Sequence, residues 1–151
     1  MAEEEARHHA LLAERLAALG AAYGDLPAHD GLWQAAQATA HDLLARLAVV
    51  PLVLEARGLD VTPAMIARLE QAGDHASAEV LRLIYADEIG HVAAGQRWFQ
   101  WLAARRGVDP AATYQALVRG CFKGEVKPPF NRAGRDAAGL SALFYEPLAP
   151  A

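Results

Sequence analysis

The chain has 151 residues, of which 54% are hydrophobic, and its formal net charge at pH 7 is −4. This length and composition support one domain with one core. The acidic balance disfavours nucleic acid and anionic membranes as partners, so we expect a small molecule or another protein. A single cysteine, Cys121, excludes an internal disulfide and a thiolate metal cage and favours a reducing compartment.

No targeting or membrane-spanning segment is visible in the sequence. The first twenty residues are charged and helical in character, unlike a signal peptide. The strongest apolar run, residues 47–54, is much shorter than the roughly 20 residues that cross a bilayer. We therefore expect a cytoplasmic protein.

Abundant alanine and leucine, without alternating β-branched residues, predict an all-α protein. The first helix is expected over residues 2–19 and ends at Gly20, a residue type common just after a helix. A loop rich in Gly, Pro and Asp follows. Asp30 can cap a second helix over residues 31–57, in which Pro51 predicts a kink.

Glycine, proline and capping residues divide the rest of the chain. Residues 58–62 predict a break, because Thr62 can cap a new helix that begins at Pro63. Asp74 and Gly107 mark the start and the end of the last long helix. The three later helices are expected over residues 63–73, 74–106 and 110–118. The bundle helices then occupy about residues 1–107, and residues 108–151 form a C-terminal helix and a mostly irregular tail.

One short motif, an acidic residue followed by Glu-x-x-His, occurs twice. Residues 4–8 are EEARH, and residues 87–91 are DEIGH. Residues three apart lie on the same face of a helix, roughly 5 Å from each other, so Glu and His can share a metal ion or bind adjacent ions. Two such helices, with one Glu from each of two further helices, make the ligand set of ferritin-like di-iron and di-manganese proteins.

A matching lone carboxylate, Glu55, lies in an apolar stretch 47 residues after His8 and 33 residues before Glu88. Both separations fit neighbouring helices of ordinary bundle length. The candidate metal ligands are therefore Glu5, His8, Glu55, Glu88 and His91. In this hypothesis the two motif glutamates bridge two metal ions, each histidine binds one ion, and Glu55 is a terminal ligand.

Three other side chains are expected to support these ligands. Glu4 and Asp87 precede the motif glutamates, and each can accept a hydrogen bond from the metal-bound histidine of the opposite helix, which fixes the histidine tautomer. Tyr85 lies one turn before Glu88 and can donate a hydrogen bond to a ligand. An aromatic residue at this spacing is, however, more often part of a core.

The motif can also occur without a metal site. Many exposed helices have a Glu-x-x-His pair by chance, and the first motif lies at a polar N-terminus that solvent can satisfy. Glu88 and His91 lie among apolar residues in mid-helix, where an unpaired charge is costly, so they need a partner or a metal ion. The recurrence of the motif favours the metal site. A non-catalytic metal-binding module and a buried polar network without metal are the alternatives that stay open.

The sequence also resembles a known family over nearly its whole length. The similar stretches are AEEEARHHALLAERL, HDGLW, TAHDLLARLAVVPLVLEARGLDVTP, DEIGHVAAGQRWFQWL and PPFNRAGRDAAG. They resemble an uncharacterised bacterial ferritin-like family known only as domain of unknown function 455. More loosely, Glu55-Ala56-Arg57 and the two motifs are similar to the di-iron tRNA hydroxylase family, and DEIGH is similar to the corresponding motif of ribonucleotide reductase small subunits.

The resemblance implies a ferritin-like helical bundle and, as a possibility, oxygen chemistry on an unidentified small molecule. Its carboxylate and imidazole ligands suit two iron ions, with manganese or zinc as alternatives. Members of the family have a further helix upstream with its own ligand Glu. This chain begins at the equivalent of the second bundle helix, so the first helix is expected to be missing. The apolar face left open predicts a homodimer.

Overall fold

The computed structural model describes residues 1–150, and this part of the chain is 74% helical with no β-strand. The prediction of an all-α helical bundle is therefore confirmed. The α-helices are α1 Ala2–Ala18, α2 Gly31–Ala38, α3 Leu43–Val49, α4 Ala56–Gln71, α5 His75–Arg106, α6 Pro110–Cys121, α7 Arg132–Ala137 and α8 Ala142–Tyr145. A π-helix, Val50–Glu55, joins α3 to α4, and a 3₁₀ helix, Glu146–Leu148, follows α8.

The first and the longest helices have the ends that the sequence predicts. Gly20 follows α1 with a φ of +78°. α5 begins after Asp74, whose carboxylate accepts a hydrogen bond from the Ser77 backbone N–H at 3.0 Å, and it is closed by Gly107 with a φ of +66°. Glycine adopts this left-handed conformation without the steric cost that other residues have, so each helix ends within two residues of its glycine.

The predicted single helix over residues 31–57 is wrong, because residues 39–42 interrupt it between α2 and α3. Side chains cap both new ends. Asp42 accepts a hydrogen bond of 2.8 Å from the backbone N–H two residues later. At the end of α2, Thr39 Oγ1 donates to the Ala35 carbonyl oxygen at 2.7 Å and accepts a hydrogen bond from Arg46 Nε, also at 2.7 Å. Because these contacts satisfy polar groups at the two helix ends, the interruption costs little.

The predicted break over residues 58–62 is also wrong, because α4 runs through it. In a helix interior Gly58 and Pro63 cost about 1 and 3 kcal/mol relative to alanine. α4 nevertheless buries Leu59 and Asp60 against the rest of the protein. This tertiary burial outweighs the local preference for a break.

Pro51, where the sequence predicts a kink, marks a change of helix type. It lies in the π-helix, which continues α3 into α4. A proline cannot donate a backbone hydrogen bond, and in an α-helix its ring clashes with the carbonyl oxygen four residues earlier. The hydrogen bonds of a π-helix span five residues instead of four, so the wider turn accommodates the ring and the chain stays helical into α4.

α5 is the central helix of the bundle and contacts α1, α3, the π-helix, α4, α6 and α7. The apolar core lies among α3, the π-helix, α4, α5, α6 and the C-terminal helices. Its fully buried members include Leu52, Leu59, Val92, Phe99 and Tyr114. α1 packs mainly against α5, and His8 is its only buried residue. No helix of residues 1–150 is long and apolar enough to span a membrane.

The C-terminal tail is more ordered than predicted, since it contains α7, α8 and the 3₁₀ helix. A buried ion pair fixes it to α4. Arg135 Nε and Nη2 donate to the two Asp60 carboxylate oxygens at 2.8 and 2.7 Å, and both side chains are almost fully buried. Asp60 also accepts a hydrogen bond of 2.9 Å from the Asn131 backbone N–H. Sequence patterns did not indicate this contact, because the two residues are 75 positions apart.

We expect Asp60→Asn to lower the free energy of unfolding by about 3 kcal/mol or more, because it leaves the buried Arg135 charge without its carboxylate. Urea denaturation followed by circular dichroism measures this loss. Asp136→Asn is the control, since Asp136 is adjacent in sequence to Arg135 but exposed, and we expect a change of less than about 0.5 kcal/mol. A loss in Asp60→Asn as small as that of a surface ion pair, under about 1 kcal/mol, would contradict the role given to the pair.

Candidate metal centre

The two Glu-x-x-His motifs face each other where α1 lies antiparallel on α5. Each histidine meets the acidic residue that precedes the glutamate of the other motif. His8 Nε2 lies 2.9 Å from Asp87 Oδ2, and His91 Nε2 lies 3.1 Å from Glu4 Oε2. These are the hydrogen bonds that the sequence predicts for Glu4 and Asp87. Their role beside a metal ion stays a prediction.

The two imidazoles turn their other nitrogen atoms toward a shared carboxylate. Glu5 Oε1 lies 3.0 Å from His91 Nδ1 and 3.7 Å from His8 Nδ1. Glu88 Oε2 lies 3.5 Å from His91 Nδ1. One possible ligand atom each from Glu5, Glu88 and His91 lie within 4.8 Å of one another. These three residues therefore form a possible metal-binding triad.

His8 and Glu55 lie beside this triad rather than within it. His8 is buried, and its Nδ1 reaches only Glu5. Glu55 is the last residue of the π-helix, and it lies close enough to Glu88, His91 and Glu5 for their charges to act on its pKa. The structure thus places the five predicted ligands in one region, and one ligand atom each from Glu5, Glu88 and His91 lie close enough to share a metal ion.

Burial makes two carboxylates of this region, those of Glu55 and Glu88, costly to ionise. Burial raises the pKa of Glu55, and the charge of Glu88 raises it further. Burial is also the main cause of the raised pKa of Glu88. The charges that act on these two carboxylates belong to glutamates and histidines of the same region, not to a lysine or an arginine. Arg7, the arginine at this site, pairs with Asp87 instead.

Three buried atoms in this region have no hydrogen-bond partner within residues 1–150: Glu55 Oε2, Glu88 Oε2 and His91 Nδ1. A buried polar atom without a partner costs about 1–3 kcal/mol. When His91 donates through Nε2 to Glu4, the lone pair on its Nδ1 faces the oxygen atoms of Glu5 and Glu88. Acceptors that face one another in this way need a cation between them, which is a proton or a metal ion. The residues therefore fit a metal ion.

Without a metal ion, the surroundings of His91 favour its protonated form. Burial opposes a positive charge on His91, but the hydrogen bond to Glu4 and the charges of Glu88 and Glu5 outweigh burial and raise its pKa. A metal ligand must be deprotonated, so metal binding here releases a proton.

Tyr85 and Arg7 lie at the edge of this region. The Tyr85 hydroxyl accepts a hydrogen bond from Asn131 Nδ2 at 2.8 Å, and in the described ranges it makes none to a predicted ligand. Its supporting role stays a prediction. Arg7 is a contributor that the sequence pattern does not single out, and it donates to the same Asp87 oxygen as His8. The signal for it is its position immediately before His8.

Comparison with known proteins gives a family without an activity. Residues 1–146 match the family model described as "Protein of unknown function (DUF455)". The chain belongs to this family. An uncharacterised protein of Haemophilus influenzae is 48% identical over 145 residues, which cover 93% of this chain and 49% of that protein. The chain therefore spans about half the length of this relative. No solved structure matches the chain.

We expect the metal-free protein to lose stability as the pH rises, because the raised pKa values of Glu55, Glu88 and His91 mean that the folded state holds these protons more tightly than the unfolded state. The stabilising contribution of Glu55 is complete below its unfolded pKa of 4.5. It is lost as the pH rises through the higher, folded pKa.

Glu55→Gln should remove the part of the pH-dependent loss of stability that comes from Glu55. Relative to wild type, the metal-free variant is expected to be equally stable at pH 4 and more stable at pH 8, as measured by thermal unfolding in the presence of EDTA. Glu14→Gln, at an exposed position of α1, should give no gain at either pH. Equal melting temperatures of wild type and Glu55→Gln at pH 8 would show that the buried carboxylate is not costly.

Proposed function

We propose that this chain binds a carboxylate-bridged pair of metal ions in a ferritin-like bundle. The supporting observation is that both imidazoles direct Nδ1 toward Glu5, while a carboxylate from the opposite helix fixes each Nε2. Ligating histidines typically have such a hydrogen bond on the outer nitrogen. Two ions suit the set better than one, because each imidazole offers its own nitrogen and the ring centroids are 5.9 Å apart.

In this proposal Glu5 and Glu88 bridge the ions, His8 and His91 bind one ion each, and Glu55 is a terminal ligand. Glu4 and Asp87 hold the two imidazoles in place. Three carboxylates and two neutral imidazoles bring three negative charges, which two divalent ions exceed by one positive charge. The pair would therefore keep an affinity for one more anionic ligand.

Carboxylate oxygen and imidazole nitrogen suit iron and manganese, and zinc also binds such donors. We favour iron. When bound, a pair of iron(II) ions supplies electrons for the reduction of dioxygen, which is the chemistry of an oxidase or oxygenase acting on a small molecule. A reducing cytoplasm, which the single cysteine favours, would keep the iron in this state.

A structural role without metal is the second candidate, and one observation favours it. The same groups already join α1 to α5, since His8 and Arg7 bind Asp87 and His91 approaches Glu4. Buried acceptors without partners speak against it, because a polar network that only stabilises a fold is strongest when every member is satisfied. Metal storage or handling without catalysis is the remaining alternative.

Anaerobic loading of the intact protein with iron(II) tests the proposal. We expect two iron ions per chain and, on addition of dioxygen, oxygen uptake with a new absorbance band. His8→Ala should lose at least one of the two ions. His9→Ala is the matched control, because His9 is the next residue on α1 but is exposed, and it should bind iron like the wild type.

The outcomes separate the three functions. Iron binding without oxygen uptake or an absorbance change would reject the oxidase and leave metal handling. Elemental analysis that finds no bound metal after loading would reject the metal centre and leave the structural network. Equal losses of iron in His8→Ala and His9→Ala would reject the assignment of His8 as a ligand.

The homodimer expected from the sequence stays a prediction. Leu12 and Leu19 of α1 are 43% and 58% exposed, and Tyr23 in the following loop is 82% exposed. We expect sedimentation velocity to give a dimer for the wild type and a monomer for Leu12→Glu. Leu143→Glu, at an exposed position of α8, is the control and should remain dimeric. A monomeric wild type would contradict the prediction.

A further inference from the structure

The position of Glu55 depends on the π-helix that ends at this residue. A π-helix has hydrogen bonds from residue i to i+5 and occurs mostly as a short insertion in an α-helix, frequently at a functional site. Successive residues of an α-helix are rotated by about 100°. If residues 50–55 returned to α-helical hydrogen bonding, the side chain of Glu55 would therefore turn away from His91 and Glu88.

The π-helix lies unusually close to α5 at Gly95. An ideal Cβ atom on Gly95 would lie 2.4 Å from Pro51 Cβ and 2.6 Å from Pro51 Cγ. Carbon atoms that are not bonded pack at roughly 3.5–4.0 Å, so no side chain larger than hydrogen fits here. Gly95 does not have a left-handed φ. Its cost in a helix, about 1 kcal/mol relative to alanine, is explained by this approach and not by a turn.

The contact lies one helical turn away from the candidate metal centre. Gly95 follows His91 by four residues on α5, and Pro51 precedes Glu55 by four residues on the opposite element. Four residues correspond to about 6 Å along a helix. The two elements run antiparallel, so the level of Gly95 and Pro51 is adjacent to the level of His91 and Glu55.

A second contact holds the same turn of the π-helix. The buried Tyr114 hydroxyl donates a hydrogen bond of 3.1 Å to the Leu52 carbonyl oxygen. The Leu52 side chain also touches the ideal Cβ position of Gly95, at 3.6 Å. Tyr114 of α6 thus holds the backbone of the π-helix, and Gly95 determines how closely the π-helix can approach α5.

We propose that Gly95 is a positioning residue for Glu55. By giving Pro51 room against α5, it lets the π-helix lie near enough for the Glu55 carboxylate to reach the region of His91 and Glu88. The functional role of this positioning rests on the proposed function, in which the Glu55 carboxylate binds a metal ion. The positioning itself is a property of the protein without metal.

Two substitutions of glycine by alanine in α5 test this proposal. Gly95→Ala introduces the methyl group that meets Pro51, whereas an ideal Cβ atom on Gly90 has no atom within 4 Å. Cobalt(II) titration, followed by its visible absorption, should show binding to Gly95→Ala weakened about tenfold or more, the range expected when a supporting contact of a ligand is lost. Gly90→Ala should bind cobalt like the wild type and should be more stable.

A thermodynamic cycle distinguishes positioning from general damage. If Gly95 acts through Glu55, then Gly95→Ala/Glu55→Gln should bind cobalt no more weakly than Glu55→Gln alone. Additive losses, or unchanged cobalt binding in Gly95→Ala, would overturn the inference. If Gly95→Ala does not fold, Gly95→Ala/Pro51→Gly, which removes the atoms that the methyl group meets, should fold and bind cobalt. Failure of both variants to fold would assign the contact to folding alone and also overturn it.

Crystal structures of the metal-free variants keep this inference separate from the proposed function. In metal-free Gly95→Ala the Glu55 carboxylate should have moved away from His91 and Glu88, and in Gly90→Ala it should not. If the wild type binds no cobalt, the metal centre is rejected, but these structures still decide whether Gly95 positions Glu55. An unmoved Glu55 in Gly95→Ala would overturn the inference even if cobalt binds.

Discussion

Acceptor atoms from α1, α5 and the π-helix converge on one region, where no lysine or arginine of the described residues pairs with Glu5, Glu55 or Glu88. This lack of a fixed cation is the constraint on which the rest of the site depends. Together with burial, it accounts for the raised pKa values of Glu55, Glu88 and His91 and for the buried oxygen and nitrogen atoms that have no partner. A protein that only needed stability would gain by replacing such groups with apolar side chains of similar size.

The ligands come from two parts of the fold that are held in different ways. Glu55, Glu88 and His91 belong to elements that contribute to the apolar core, and core packing fixes their backbone closely. Glu5 and His8 belong to α1, which is held on α5 by polar contacts such as those of His8 and Arg7 with Asp87. The same carboxylate–imidazole pairs that orient the rings therefore also attach the helix that presents half of the site.

The sequence predicted the parts of this arrangement that depend on local spacing. The repeated motif identifies Glu4 and Asp87 as partners of the opposite histidines, and Asp74 and Gly107 define the longest helix. Contacts between distant segments left no such signal. Pro51 predicts an irregular helix, but the sequence does not show whether the helix bends or forms a wider turn. From the sequence alone, Gly95 is only a residue with low helix propensity, because its contact with Pro51 is visible only in the structure.

The ion pair between Asp60 and Arg135 gives the molecule an order of assembly. During synthesis the N-terminal segments emerge and begin to fold first, and every predicted ligand is synthesised before Arg135 is available to hold α4. Until then, the guanidinium group within reach of Asp60 is that of Arg57, 3.5 Å away on the same helix, and α4 lacks its anchor to the tail. The contact of α7 with α4 is thus among the latest that synthesis makes available, and it is made on the helix that continues from Glu55.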